Sequence, residues 1–277
     1  MLRSMFSAIS GLKSHQTMLD VTSNNIANVN TTGFKAGRTT FKDSLAQTQS
    51  GGAAPSGTQG GANAQQIGLG VQVGSIDNVM AGGALQTTGN VLDVAITGDG
   101  FFRVGSGAPP TLPTQFQYTR AGNFTLNQQG YLVTQDGSYV MGRDAAGTGG
   151  TDKYIKMDDG ATNVAIGQNG AVTFLAPGAT DPTVAGYLSL ARFANQTGLE
   201  RDANNRWTAG ASSGPEQVGT PGDSGNGLTA SGAVEMSNVD LASEFTNMIT
   251  AQRGFQANSR VISTADQILQ DLVNLNR

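Results

Sequence analysis

Leu241-Ala242-Ser243-Glu244-Phe245-Thr246-Asn247-Met248-Ile249-Thr250-Ala251-Gln252-Arg253-Gly254-Phe255 is the stretch that decides the architecture. Leu241, Met248 and Phe255 recur every seven residues, and the period runs on through Ile262 and Leu269. Phe245, Gln252, Ser259, Asp266 and Val273 fill the intervening positions. This is the apolar seam of one long helix over residues 239–275. Ser237-Asn238-Val239-Asp240 offers N-cap candidates, with Glu244 in the first turn.

The opposite end of the chain mirrors this pattern. Leu2, Met5, Ile9, Leu12, Gln16, Leu19, Ser23 and Ile26 alternate steps of three and four, a heptad seam with two polar interruptions. No proline interrupts residues 2–28. Asn24-Asn25-Ile26-Ala27-Asn28-Val29-Asn30 and then Thr31-Thr32-Gly33 supply residues that tolerate the left-handed conformation that ends a helix. A single pair of helices buries little apolar surface for the number of residues it orders. Both ends are therefore expected to pack against other molecules and to order fully on assembly.

Between the helices the pattern changes twice. Residues 48–66 are rich in Gly, Ser, Ala and Gln and read as a flexible or extended segment. Residues 70–210 show short alternating runs with turn punctuation, which predicts a β domain. Asn123–Asn127 and Tyr131–Val133 flank Gln129-Gly130 as a hairpin, as do Asn163–Ile166 and Ala171–Phe174 around Gln168-Asn169-Gly170. Residues 210–231 read as a second loop. Trp207 is expected in the packing of the β domain.

Composition narrows the function classes. Glycine occurs 39 times, about twice the usual share, while charged residues make up 13%, about half the usual share. This suits a turn-rich β body whose surface is meant to be covered. A net charge of −4 without a basic stripe argues against nucleic acid. The absence of cysteine excludes disulfides, thiolate catalysis and Cys-based metal sites. No apolar run approaches the roughly 20 residues of a membrane span. The start, Met1-Leu2-Arg3-Ser4-Met5-Phe6, lacks the core and cleavage site of a secretory signal, so export would need another route.

Catalytic and metal chemistry finds no support. His15, the single histidine, falls inside the first helix and reads as a surface or interface residue. Gly98-Asp99-Gly100 is followed by Arg103 and no helical pattern, so it reads as a turn, not a dinucleotide loop. Asp158-Asp159-Gly160 lacks the alternating carboxylates of a calcium loop. No catalytic residue, metal site or cofactor is assigned, and the chain is not expected to be an enzyme.

Three segments resemble a known family. Ser23-Asn24-Asn25-Ile26-Ala27-Asn28-Val29-Asn30-Thr31-Thr32-Gly33-Phe34-Lys35 resembles the N-terminal signature of the flagellar rod and hook proteins. Leu92–Ile96 through Gly100-Phe101-Phe102, with Tyr118-Thr119-Arg120-Ala121-Gly122-Asn123-Phe124, resembles their shared body. Gly232-Ala233-Val234-Glu235-Met236-Ser237-Asn238-Val239-Asp240-Leu241, and then Met248–Ser259 including Gln252-Arg253, resembles their C-terminal motif. The motif residues singled out are Asn24, Asn25, Asn28, Gly33, Phe34, Lys35, Ser237, Asn238, Val239, Gln252 and Arg253. Ala191–Leu199, Trp207 and Asp266–Leu275 resemble the hook type, a flexible universal joint between rod and filament, which is the expectation; the distal-rod type is the alternative, and a β-domain binding module or polysaccharide-active enzyme on a helical stalk is a more distant one. The chain's length and the insert at 48–66 are those of a distal-rod protein.

The resemblance implies an α+β fold assembled in a hollow helical tube. The terminal helices, 1–30 and 236–277, would form an antiparallel coiled coil in an inner layer lining an export channel. Residues 76–235 would form an outer β domain, with 31–75 as a linker. Leu2, Met5, Ile9, Leu12, Leu19, Ile26, Leu241, Phe245, Met248, Phe255, Ile262 and Leu269 would form the helix and subunit interfaces. The implied partners are copies of the chain itself, rod and hook–filament junction proteins, a hook cap during assembly and the flagellar type III export apparatus. The implied location is the flagellum, in the hook or basal body, extracellular after export, without membrane insertion.

Overall fold

The computed structural model describes residues 2–55, 60–107, 109–147, 149–158 and 160–275. Within the expected linker, residues 56–59 lie outside the described residues, as does Asp159 of the Asp158–Gly160 turn; the Leu2 side chain is also not described. The chain divides into two units. The first comprises 1–27, 37–78 and 240–277, and the second 28–36 and 79–239. The chain therefore passes between the units four times, which differs from the expected division at 30, 75 and 235.

The first unit holds two helices, α1 (Leu2–Ala27) and α2 (Leu241–Leu275). α2 starts where the sequence offers a cap. Asp240 Oδ1 accepts the Ala242 N–H at 3.0 Å and Oδ2 accepts the Ser243 hydroxyl at 2.7 Å, satisfying a donor that the helix leaves unpaired. These bonds, the Ser243 hydroxyl first, hold the Asp240 carboxyl below its usual pKa. α1 and α2 are in contact. Asn25 meets Glu244, His15 meets Gly254 and Gly11 meets Asn258, so the numbers fall on one helix as they rise on the other. The two helices run antiparallel.

The segment expected as a linker is ordered into two hairpins of this same unit. β1 (Gly37–Asp43) pairs antiparallel with β4 (Val71–Asn78), and β2 (Ala46–Ser50) with β3 (Gln65–Gly68). Even the Gly-rich part pairs, through Ala53 and Ala62. Small and amide side chains there leave the backbone ladder unobstructed, which composition alone reads as looseness. On β4, Val71, Val73, Ser75 and Asp77 are half-buried while Gln72, Gly74 and Ile76 are exposed, the period of two of a one-sided strand.

The second unit is the β body. Its largest sheet contains thirteen strands among the described residues. Both expected hairpins occur: Phe124–Leu126 pairs with Leu132–Thr134, and Thr162–Ile166 with Ala171–Leu175. Val94–Thr97 and Phe101–Gly105, on either side of Gly98-Asp99-Gly100, go to different sheets. The first pairs with Leu228–Ser231 and the second joins the large sheet. The stretch 210–231, expected as a loop, contributes Gln217–Gly219 and Leu228–Ser231 as strands. One core gathers Phe102, Phe124, Leu132, Ile155, Met157 and Leu188. A second places fully buried Trp207 with Phe101, Tyr118, Phe193 and Leu199.

Candidate functional site

The motif Gly33-Phe34-Lys35 is built into the β body. Gly33 adopts a φ of +67°, and a side chain there would fall within 2.6 Å of the Ala121 backbone nitrogen, so only glycine fits. Its N–H donates to the Glu235 carbonyl at 2.7 Å. This aims Lys35 into the interior, where its Nζ donates to Glu235 Oε1 at 2.5 Å and to the Ala81 carbonyl at 2.9 Å. The other carboxylate oxygen accepts Arg120 Nη1 at 3.2 Å, and Gly83 N–H donates to Oε1 at 2.9 Å. Lys35, Glu235 and Arg120 are all buried. Burial lowers the Lys35 pKa from its usual value, against the opposing pull of Glu235.

Neighbouring motif residues hold backbone. Asn238 Oδ1 accepts the Ala36 N–H at 2.8 Å, and its Nδ2 donates to the carbonyls of Val79 and Ala81. Arg201 Nη2 donates to the Lys35 carbonyl, and its guanidinium lies 4.7 Å from the Phe34 ring centre and 5.1 Å from that of Trp207. Asn205 Nδ2 donates to the Thr32 carbonyl. Ser237 Oγ accepts the Val239 N–H, and Asn28 Oδ1 accepts the Thr31 hydroxyl. Residues 31–36 are thus an integral part of the body. Glu235, Arg120 and Arg201 were not singled out from the sequence, although Glu235 and Arg120 stand inside the quoted motifs.

In the helical unit, Asn25 plays the corresponding role. Its Oδ1 accepts the Gly37 N–H at 2.9 Å, its Nδ2 donates to the Gly37 carbonyl at 2.8 Å, and Nδ2 also reaches Glu244 Oε1 at 3.2 Å. Burial, and then the nearby Asp240 charge, raise the Glu244 pKa above its usual value, while Asn25 works the other way. Asn24, Gln252 and Arg253 are exposed on the helices.

The helix faces differ from the expected seam in a regular way. Met5, Leu12, Leu19 and Ile26, with Met248, Phe255, Ile262 and Leu269, are half-buried. The intervening positions fall one residue earlier than expected. Ala8 is buried instead of Ile9, and Thr22 instead of Ser23. On α2, Ala251 and Ala265 are buried instead of Gln252 and Asp266. Leu241, Phe245 and Val273 are exposed. The physical reason is side-chain size, because small residues at the contact allow the axes to approach closely. At Gly254 an added Cβ would lie 2.5 Å from His15 Nε2 and under 3 Å from two further ring atoms, so the imidazole lies across the bare backbone. The same ring meets Phe41 edge-on, with the ring centres 6.0 Å apart. A search for large apolar residues passes over positions where smallness is the requirement.

The described residues contain no group of three or more His, Asp or Glu side chains placed to hold a metal ion, and no helix is long and apolar enough to cross a membrane. Against known proteins, residues 5–35 match the family described as flagella basal body rod protein. Residues 95–174 match the flagellar hook protein FlgE/F/G D1 domain, and 230–275 the flagellar basal body rod FlgEFG protein C-terminal. The chain is 49% identical to the flagellar basal-body rod protein FlgG of Bacillus subtilis (strain 168), with all of both chains covered. The chain belongs to the flagellar rod and hook protein family. The FlgG rod protein of Caulobacter vibrioides is 38% identical over 97% of each chain. The flagellar hook protein FlgE of Borreliella burgdorferi is 26% identical over 447 aligned residues, covering 99% of this chain and 100% of that one. All three are named as rod or hook proteins of the flagellum, and none as an enzyme.

Proposed function

We propose that this chain is the subunit of a distal-rod-type polymer of the bacterial flagellar basal body, a straight hollow helical tube. The observation that carries this is the 49% identity to a rod protein along the whole of both chains, against 26% to a hook protein whose alignment needs 447 positions. This replaces the hook type expected from Ala191–Leu199, Trp207 and Asp266–Leu275. The ordered hairpin of β2 and β3 gives further support. A hook must bend as it turns, whereas an additional paired segment between subunits favours stiffness.

In this reading α1 and α2 form an antiparallel coiled coil in the inner layer around an export channel. Residues 37–78 bridge to adjacent copies. Phe6, Leu241, Phe245 and Ile249 are exposed in the isolated chain and take part in contacts between copies. Neighbouring axial proteins cap the two ends, and the chain reaches the tube through the flagellar type III export apparatus. Electron microscopy of tubes grown from the purified chain tests the proposal. Straight tubes are expected, curved supercoiled tubes would return the chain to the hook type, and absence of tubes at any concentration would remove the polymer reading.

A further inference from the structure

On the sheet face of the β body that points away from Trp207, four polar side chains stand together. Gln117–Thr119 and Arg206–Thr208 pair antiparallel, with Trp207 opposite Tyr118 and Arg206 opposite Thr119. Tyr118 and Trp207 turn into the second core, so Gln117, Thr119, Arg206 and Thr208 share the other face. Three hydrogen bonds make a ladder there. Gln117 Nε2 donates to Asp202 Oδ2 at 2.6 Å, Arg206 Nη1 to Gln117 Oε1 at 2.9 Å, and Arg206 Nη2 to Asp136 Oδ2 at 3.1 Å. Each end of the ladder lines a cavity. Gln117, Thr208 and Asp202 line one of about 320 Å³, and Thr119, Arg206 and Asp136 one of about 190 Å³. The step between them is two residues on both strands, ~7 Å. The smaller cavity is below the ~300 Å³ at which single small-molecule sites begin, so a ligand that uses it is extended and spans both.

The linings state what that ligand carries. Six are carboxamides: Gln115, Gln117, Asn123, Gln135, Asn204 and Asn205. A carboxamide donates and accepts at once, so it pairs with an amide in both directions. Among the described residues, the carboxamides of Asn123, Gln135 and Asn204 and the hydroxyls of Thr32 and Thr208 are engaged by no other side chain or backbone group. Half-buried Phe116 adds an apolar surface to the larger cavity, and the Arg103 guanidinium, 4.0 Å from the ring centre, holds that ring in place. Arg206 is the one cation in the described linings and is paired with Asp136, while Asp202 adds a negative charge. This field turns away phosphate, sulfate and carboxylate ligands. Both central strands are paired on each side, so no free backbone edge is offered to an extended peptide.

We propose that the two cavities form one groove for an uncharged glycan strand whose sugars carry acetamido groups. Successive sugars lie on either side of the Gln117–Arg206 hydrogen bond. Their acetamido groups pair with the carboxamides, their hydroxyls meet Thr32 and Thr208, and an apolar sugar face covers Phe116. The ladder fixes Gln117 and Arg206 before the ligand arrives, which lowers the ordering cost of binding. The groove lies wholly within the β body of one chain, so it stands or falls independently of the rod reading.

Titration of the full-length chain with tetra-N-acetylchitotetraose, below the concentration at which the chain assembles, tests this. Backbone amide NMR signals should shift saturably at residues 114–117, 134–136 and 202–208, and not in α1 or α2. Gln117→Ala, which breaks the ladder, should weaken binding roughly tenfold. Thr208→Val and Asn204→Ala, one in each cavity, should together do the same and leave the Trp207 unfolding transition in place. Cellotetraose, which has the same linkage without acetamido groups, should bind roughly tenfold more weakly, and a sulfated oligosaccharide not at all. No shift at the solubility limit of the sugar would overturn the proposal. So would undiminished binding by the folded Thr208→Val, Asn204→Ala variant, which would put the sugar elsewhere. Equal affinity for cellotetraose, or tighter binding of the sulfated sugar, would overturn the ligand assigned to the groove.

Discussion

The two units bury opposite kinds of residue. The β body puts its largest side chains inside, among them Trp207, Phe101, Phe102, Phe124 and Phe193. Among the described residues of the helical unit the buried apolar side chains are alanines, Ala8, Ala251 and Ala265, while Phe6, Phe245, Ile249, Leu272 and Leu275 are exposed. A protein that finished its core within one chain would not distribute its apolar surface this way, because each outward Leu or Phe forgoes ~1.5–3 kcal/mol of burial. The β body buries its large side chains within one chain, whereas the helical unit leaves its large side chains exposed, as the proposed polymer requires. Contiguous exposed apolar patches mark association sites on soluble proteins.

If the β body is self-sufficient, breaking its interior should unfold it. Glu235→Gln keeps the shape of the side chain but leaves Lys35 and Arg120 buried without a counter-charge. Removing one partner of a buried ion pair costs about 3–5 kcal/mol. Chemical denaturation followed by Trp207 fluorescence should show this loss. A midpoint within error of the parent would mean that water reaches the cluster and that residues 31–36 are not integral to the body. The next largest effect belongs to the helices. Gly254→Val pushes the His15 ring off α2, and overpacking of this kind costs ~1–3 kcal/mol. It should lower the thermal midpoint of the helical signal in circular dichroism and leave the Trp207 transition in place. A shift of both together would show that the units unfold as one.

The contrast also explains what could be read from the amino-acid sequence. Alternation with Gly-rich turns located both β hairpins to within a residue or two, because local pairing leaves a local signature. Heptad spacing located both helices and four half-buried positions on each seam. It missed Ala8, Ala251 and Ala265 because a search for large apolar residues assumes a contact made by bulk. The ladder over 46–68 was hidden for a related reason, since Gly, Ala and Gln say little about pairing when the register is carried by the backbone. Glu235 was visible as a motif residue, but its partners Lys35 and Arg120 are 200 and 115 positions away. No periodicity reports a pair at that separation. The choice between rod and hook rested on short segments, and it moved once similarity along the whole chain was weighed.

A substitution on the outward face separates the two meanings of apolar. Phe245→Ser removes a large side chain that is about half exposed, so the monomer should lose only about 1 kcal/mol. Assembly should nevertheless fail if, as proposed, the same ring is covered in the polymer. Sedimentation of wild-type and variant chains at matched concentration measures this. A variant that assembles normally would place Phe245 outside the contacts, and a variant that unfolds would place it inside the monomer's own core.

The smallest expected effect concerns pH and tests whether the helical unit is tuned at its first turn. Burial, joined by Asp240, holds the Glu244 carboxyl above its usual pKa. Between the ordinary value and the raised one, the folded chain keeps a proton that the unfolded chain gives up. The contribution to stability is therefore largest at low pH and falls as pH rises through that window. Glu244→Gln keeps a hydrogen-bonding partner for Asn25 and removes the titration. Its stability should be flatter above the usual carboxylate range, and equal to or slightly above that of the parent at neutral pH, by less than ~1 kcal/mol after allowing for solvent at this half-exposed site. Thermal midpoints from pH 4 to pH 7 would show it. A variant less stable than the parent at pH 7 would mean that the charge on Glu244 is what Asn25 requires, and that the amide's grip on Gly37 depends on an ion.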